Sequence, residues 1–138
     1  MLQLILHLIG DYVTQSDWMA KNKTESTWAA FCHATVYSLP FAFIASLNAW
    51  LVIWGTHLLI DRFRLARHVV WLKNRFLQPW PEAYEFPARH EWEERWSWQN
   101  CQSTGYPSDA APWLAVWLLI AADNTLHLAI NFLALAYL

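Results

Sequence analysis

From Ser26 to Ile60 the chain runs for 35 residues without an Asp, Glu, Lys or Arg. As one helix that run would measure about 52 Å, against a bilayer core of about 30 Å. Two helices, about 27–46 and 49–61, fit it better, with a tight turn near Ser46–Ala49 and Pro40 kinking the first. An apolar helix over 1–13 precedes them, closed by the polar stretch Thr14 to Thr27. A long apolar helix over 112–138 follows, interrupted by Asp123, Asn124, His127 and Asn131. Between these lie a basic run from Arg62 to Arg75 and a polar insert, 72–111, rich in Pro, Trp and Glu. Within the insert, Arg89 to Trp98 reads as a short helix lying at an interface. The pattern predicts an all-α chain: a compact four-helix transmembrane bundle, one integral membrane domain over 1–138, with the Trp-rich insert between helices 3 and 4.

Composition supports that picture. The chain is 57% hydrophobic and 14% charged, where an average soluble domain has about 25% charged residues. Eleven Trp suit the membrane–water boundary, where this residue gathers. The competing reading is a soluble helical protein, since mean hydropathy is only +0.15 and helices 1 and 3 have the length of core helices. The uncharged run weighs against it. A net charge of −2, with no basic stripe interleaved with aromatics, excludes a nucleic-acid partner. Membrane lipids, a second copy of the chain and a partner at the insert remain as expected partners. Cys32 and Cys101 occupy unlike settings, so a disulfide framework is not expected. Cys32 points about 100° away from His33 on a helix, so it reads as a packed thiol and not as a ligand. The N-terminus lacks a basic region and a small-residue cleavage site and reads as a mature helix.

Charge also orders the helices. Lys21 and Lys23 lie between helices 1 and 2, and the basic run follows helix 3. In a four-span arrangement both loops fall on one side, which the positive-inside rule places in the cytoplasm. The expectation is a multi-pass protein of the inner (cytoplasmic) membrane with both termini outside. Helices 1 and 3 are short, so the bundle is thin or partly re-entrant.

Three helical turns pair histidine with aspartate at a spacing of four: His7–Asp11, His57–Asp61 and, reversed, Asp123–His127. Residues i and i+4 share a helix face, so each pair converges on one point. Any single pair can be a boundary hydrogen bond, and Asp61 can pair with Arg62 or Arg64. Asp123, deep in an apolar helix, needs a cation or a proton. With His33 from helix 2, all four helices offer a polar group near one level of the cytoplasmic half. Imidazole and carboxylate suit a divalent metal, zinc first, with manganese or iron as alternatives. The candidate ligands are His7, Asp11, His33, His57, Asp61, Asp123 and His127, which exceed one tetrahedral set. Either some orient the others or two ions share them. Read as an enzyme, the chain would be a metal-dependent hydrolase of a lipid-linked or interfacial substrate, with Asp11 or Asp61 as general base. The alternatives are a scaffold or interaction protein stapled by the same site, and an ion or proton pathway. Asp17, Trp18, Lys21, Asn22 and Lys23 form a polar elbow that turns the chain or gates the site. His68 and His90 read as solvated, and Asn22-Lys23-Thr24 would be inert on the cytoplasmic side. No phosphate-binding Gly loop, nucleophile elbow or CxxC motif is present.

Residues 7–23, HLIGDYVTQSDWMAKNK, resemble the opening motif of an uncharacterised family of small bacterial and phage integral membrane proteins, a domain of unknown function. Members read His-x-x-Gly-Asp, then Leu-Gln, Asp-Trp-Met-Ala and Asn-Lys. They continue with a His before a Tyr-x-Leu-Pro-type run, here His33 and Tyr37–Pro40, then His-x-x-x-Asp, here His57 and Asp61. A late Asp-Gln-x-x-His corresponds to Asp123 and His127. Thr14 stands where Leu is usual and Asn124 where Gln is commoner. The resemblance covers nearly all the chain outside 72–111. It implies an integral membrane protein and brings no established reaction. The His/Asp content is also similar to that of small inner-membrane proteins described as metal-dependent hydrolases, an analogy only.

Overall fold

The computed structural model describes residues 1–77 and 89–138; the start of the polar insert, 78–88, lies outside the described residues. Among the described residues all regular structure is helical. In chain order the elements are α1 (Leu2–Leu8) with a π-helical turn (Ile9–Val13), α2 (Asp17–Asn22), α3 (Thr27–Ser38) with a 3-10 extension (Leu39–Phe43), and α4 (Leu47–Phe63). They continue with α5 (Leu65–Leu77), α6 (Arg89–Arg95), α7 (Trp98–Cys101) and α8 (Pro112–Tyr137). One helix, α8, is long and apolar enough to cross a membrane, and α1 with its π turn forms a shorter apolar helix. The chain divides into two compact units, Met1–Leu65 with Asn124–Leu138, and Ala66–Asp123.

In the first unit serines set where helices begin. The Oγ atoms of Ser16, Ser26 and Ser46 accept the backbone N–H of Met19, Ala29 and Ala49, capping α2, α3 and α4. The polar stretch 14–27 therefore holds a short helix. Pro40 does not kink a helix that runs on to 46. It stands at the start of the 3-10 extension, where a ring without an N–H ends the α pattern. At its far end α4 stops at Arg64, a non-glycine residue in the left-handed region (φ 52°).

α3 packs chiefly on α4. Small side chains (Ala29, Ala30, Ala34, Ala49) are fully or nearly fully buried, which lets the backbones approach. Tyr37, Phe41, Ala49, Ile53 and Ala134 form the apolar core. Trp50 Nε1 donates to Ser38 O and Trp54 Nε1 to Thr35 Oγ1, tying the pair at two levels. At one end of the hairpin Arg62 bonds Thr24 O (2.7 Å) and Thr27 Oγ1 (3.1 Å). At the other, Ser46 Oγ donates to Leu138 O. The outer faces are apolar: Leu51, Leu59 and Phe63 on α4 and Phe132 and Leu133 on α8 are all exposed. The interior carries His7, Asp11, His33, His57, Asp61, His127 and Asn131. Polar inside and apolar outside inverts the order of a water-soluble domain.

The second unit is built on tryptophan. The basic run Arg62–Arg75 is mostly helix α5, because Ala66, Val70 and Asn74 repeat at a spacing of four and are buried. Trp92, Trp96 and Cys101 cluster with Trp71 against them, and Trp71 Nε1 donates to Trp96 O. Cations of α5 lie over aromatic rings, Arg75 on Trp92 and Arg67 on Trp98. His68 is exposed and stacks on Trp98 with ring centroids 4.4 Å apart. Gly105 (φ +82°) sits so close to the Arg67 carbonyl and Val70 that no Cβ fits there. Burial pushes the Cys101 thiol up to about 11.

Candidate metal centre

Local geometry delivers each polar side chain to one place in the first unit. The π turn in α1 widens the helix over Ile9–Val13 and buries Gly10 and Asp11. Gly10 is required for this approach: a Cβ there would lie 2.5 Å from Tyr37 Cδ2. His33 projects from α3, one turn before Tyr37; His57 and Asp61 project from the last two turns of α4.

His33 Nε2 and His57 Nε2 lie 3.0 Å apart. Asp61 Oδ2 is 3.1 Å from the former and 3.2 Å from the latter. Asp11 Oδ1 is 3.3 Å from His33 Nε2 and 3.5 Å from His57 Nε2. Charge-assisted N–H···O bonds run at about 2.7–2.9 Å, shorter than every one of these His–Asp contacts. A single N–H also cannot serve two carboxylates and an imidazole at once. The edges of a tetrahedron with bonds near 2.0–2.1 Å are roughly 3.3 Å, which matches the spacing. Asp11 Oδ1 and Asp61 Oδ2 are buried without a hydrogen-bond donor, a cost that a cation would remove. The donor set therefore fits a divalent ion. Two groups of residues could hold one: Asp11, His33 and His57, and His57, Asp61 and His127.

Neighbouring groups orient the set. Tyr37 stacks on His57 with ring centroids 3.6 Å apart and planes 15° from parallel. Since His57 Nδ1 is buried without a hydrogen-bond partner, ring stacking is what fixes its plane. His127 Nε2 is 3.4 Å from Asp61 Oδ1, the oxygen turned away from His33 and His57. Lys23 Nζ is 2.9 Å from Asp61 Oδ2 and 3.3 Å from His33 Nε2.

The expected ligands do not all occupy equivalent places. Asp11, His33, His57 and Asp61 converge, and His127 joins through Asp61. Both ring nitrogens of His7 are engaged, Nδ1 by Tyr37 OH (2.9 Å) and Nε2 by Asn124 Oδ1 (2.7 Å). Asn131 Nδ2 donates to Tyr37 OH and Asn124 Nδ2 to Tyr12 OH. Those amide contacts assign the His7 proton to Nε2 and leave its Nδ1 lone pair to the tyrosine. His7 Nδ1 thus sits 3.4 Å from Asp11 Oδ2 with that lone pair already taken. Asp123 is half-buried and belongs to neither ligand group. Asp61 pairs with Lys23, from the polar elbow, and not with a neighbouring arginine of α4.

Sequence reasoning missed Lys23, Tyr37, Asn124 and Asn131 as site residues. The asparagines were marked by spacing: 124, 127 and 131 follow i, i+3, i+7, a polar stripe on an apolar helix. Tyr37 follows His33 by four. Lys23 left no such mark, because its contact with Asp61 crosses from α2 to the end of α4.

The fold and site together define an all-helical protein with buried His/Asp groups able to hold a metal ion. The chain belongs to the family described as "Protein of unknown function (DUF3307)", whose model matches residues 1–79. That stretch contains Asp11, Lys23, His33, His57 and Asp61. No curated protein and no solved structure matches the chain.

Proposed function

We propose that this chain is a membrane-embedded metal-binding protein, with zinc as the preferred ion and Asp11, His33, His57 and Asp61 as its ligands. The observation that carries the reading is the spacing of neighbouring donor atoms, 3.0–3.5 Å across the set. His7 and Tyr37 position the donors, and His127 holds the outer oxygen of Asp61.

The membrane part of the reading is supported by the apolar outside and polar inside of the first unit, and by α8. α4 is about 25 Å long, and α3 with its 3-10 extension about 28 Å. These would span a thin bilayer or a locally thinned one, giving a four-span bundle in an inner membrane. Lys23, Arg62 and Arg64 gather at the Thr24–Thr27 end of the hairpin, which the positive-inside rule assigns to the cytoplasm. His33 lies about 9 Å below that end, within reach of a lipid head group.

Two uses of the ion are consistent with this centre. Four protein donors close a tetrahedral set, the arrangement of structural sites, and favour a staple that holds short helices together. Metal-dependent hydrolysis of a lipid-linked substrate is favoured by Lys23, since a staple gains nothing from an ammonium beside its cation. The ion would supply Lewis-acid polarisation of a phosphoryl or carbonyl oxygen and activation of water. Asp61, which Lys23 and His127 also hold, is the carboxylate with partners enough to act as general base.

Elemental analysis of detergent-purified protein tests the reading. About one ion per chain is expected for a single tetrahedral set, lost in His57→Ala and Asp61→Ala and kept in His90→Ala. Substoichiometric metal in the unaltered chain, or equal metal in all variants, refutes it.

A further inference from the structure

Lys23 is the one group at the centre whose charge the metal reading does not use. Its Nζ lies 2.9 Å from Asp61 Oδ2, the oxygen that faces both His33 and His57. Its side chain is 19% exposed, against 3% for Asp61, so it forms the outer rim of the set. It is also tethered there. Lys23 N–H bonds to Met19 O at the end of α2, and Arg62 grips the next residue through Thr24 O.

Charge balance defines its role. With neutral imidazoles, Asp11 and Asp61 carry two negative charges, which one divalent ion offsets. The Lys23 ammonium is then a surplus positive charge in a largely buried site, where an unpaired ion is costly. Because its backbone is held at the rim, the ammonium cannot withdraw far. A ligand carrying negative oxygens relieves it, one end on the Lewis acid and the other on the ammonium.

We propose that Lys23 is the anion-binding residue of this centre, and that the loaded protein takes an oxyanion, the phosphate of a head group or of a free phosphate, between the ion and the Lys23 ammonium. This rests on the metal-binding reading of the centre. It also makes Lys23 a competitor of the ion for Asp61 Oδ2, so removing the ammonium should tighten metal binding.

Cobalt(II) separates the two ideas, because its visible absorption reports both loading and any change in the coordination environment. Detergent-purified chain is titrated with cobalt against a chelator, then with inorganic phosphate or a short-chain phosphatidic acid. The expected result is a tetrahedral cobalt spectrum that shifts saturably with either anion. Lys23→Met should bind cobalt at least as tightly and lose at least about tenfold in anion affinity, the scale of one charge-assisted contact. Lys23→Arg should keep the anion response. A stronger response to the lipid identifies the head group as the source, an equal one the free anion, and both support the proposal. Unchanged anion affinity in Lys23→Met, or weakened cobalt binding, overturns it while leaving the metal centre standing. Absence of a cobalt spectrum in the unaltered chain overturns the centre itself and this proposal with it.

Discussion

Gly10 and Gly55 are the two glycines within helical segments, and the structure gives them opposite fates on conversion to alanine. At Gly55 a Cβ would meet nothing within 4 Å, so Gly55→Ala gains helix propensity alone, about 0.5–1 kcal/mol. At Gly10 the same Cβ lies 2.5, 3.1 and 3.2 Å from three ring atoms of Tyr37. The closest contact falls short of ordinary packing at 3.4 Å by roughly 0.9 Å. Tyr37 cannot yield that distance freely: it is fully buried, bonded to His7 and Asn131, and stacked on His57. Overpacking of this kind costs about 1–3 kcal/mol. After the propensity gain, Gly10→Ala should lose about 1–2 kcal/mol net, a fall in Tm of roughly 4–8 °C. Metal affinity should fall with it, because Asp11 is the next residue along the chain. Thermal unfolding of both variants in one detergent, with zinc competition against a chelator, checks this. If Gly10→Ala melts at or above Gly55→Ala, the close approach of α1 to Tyr37 is refuted.

Tyr37→Phe removes the hydroxyl that accepts from Asn131 and donates to His7 but keeps the ring on His57. It should lower stability by about 1–3 kcal/mol while leaving metal stoichiometry unchanged, measured by denaturant titration and elemental analysis. Chelation of the bound ion should lower Tm in the unaltered chain and leave that of His57→Ala where it was; at a hundredfold excess over Kd the linkage is worth about 2.7 kcal/mol. The Cys101 thiol, raised to about 11, is protonated at every pH below that, and at pH 8 holds about a thousandth of its population as thiolate. Maleimide at pH 8 should leave it unmodified in the folded chain by mass spectrometry, and rapid labelling would contradict its burial. Gly105→Ala should destabilise by about 1–2 kcal/mol or more, since its φ of +82° and the nearby Arg67 carbonyl both oppose a side chain.

The all-helical class was legible because charge is absent over Ser26–Ile60 and apolar residues dominate Pro112–Leu138. The histidines and aspartates stood out for the same reason, as isolated polar groups in apolar segments. What the spacing of four could not convey is that the decisive contacts run between helices. His33 meets Asp11 and Asp61 more closely than His7 meets Asp11, and no local rule ranks those distances. His7 looked equivalent to His57, yet a tyrosine and an asparagine from distant segments occupy both its nitrogens. α5 was hidden by its charge: five basic residues between 62 and 75 read as loop, although Ala66, Val70 and Asn74 kept helical spacing. Lys23 was assigned to a turn for a related reason. A cation outside an apolar segment ordinarily faces solvent, and only the fold brings this one to a carboxylate.

The π turn at Ile9–Val13 makes residue count itself part of the site. Such a turn holds one residue more than the α-helical pattern needs, and removing it would let α1 close into regular helix. Every side chain beyond the deletion would then rotate by about 100° relative to those before it. Deleting Ile9 would thus swing an aspartate and a glycine off the face they share with His7, although every ligand would still be present. The chain should tolerate exchanges among its outward-facing leucines far better than the loss of a single apolar residue here. In this segment, function depends on phase before it depends on chemistry.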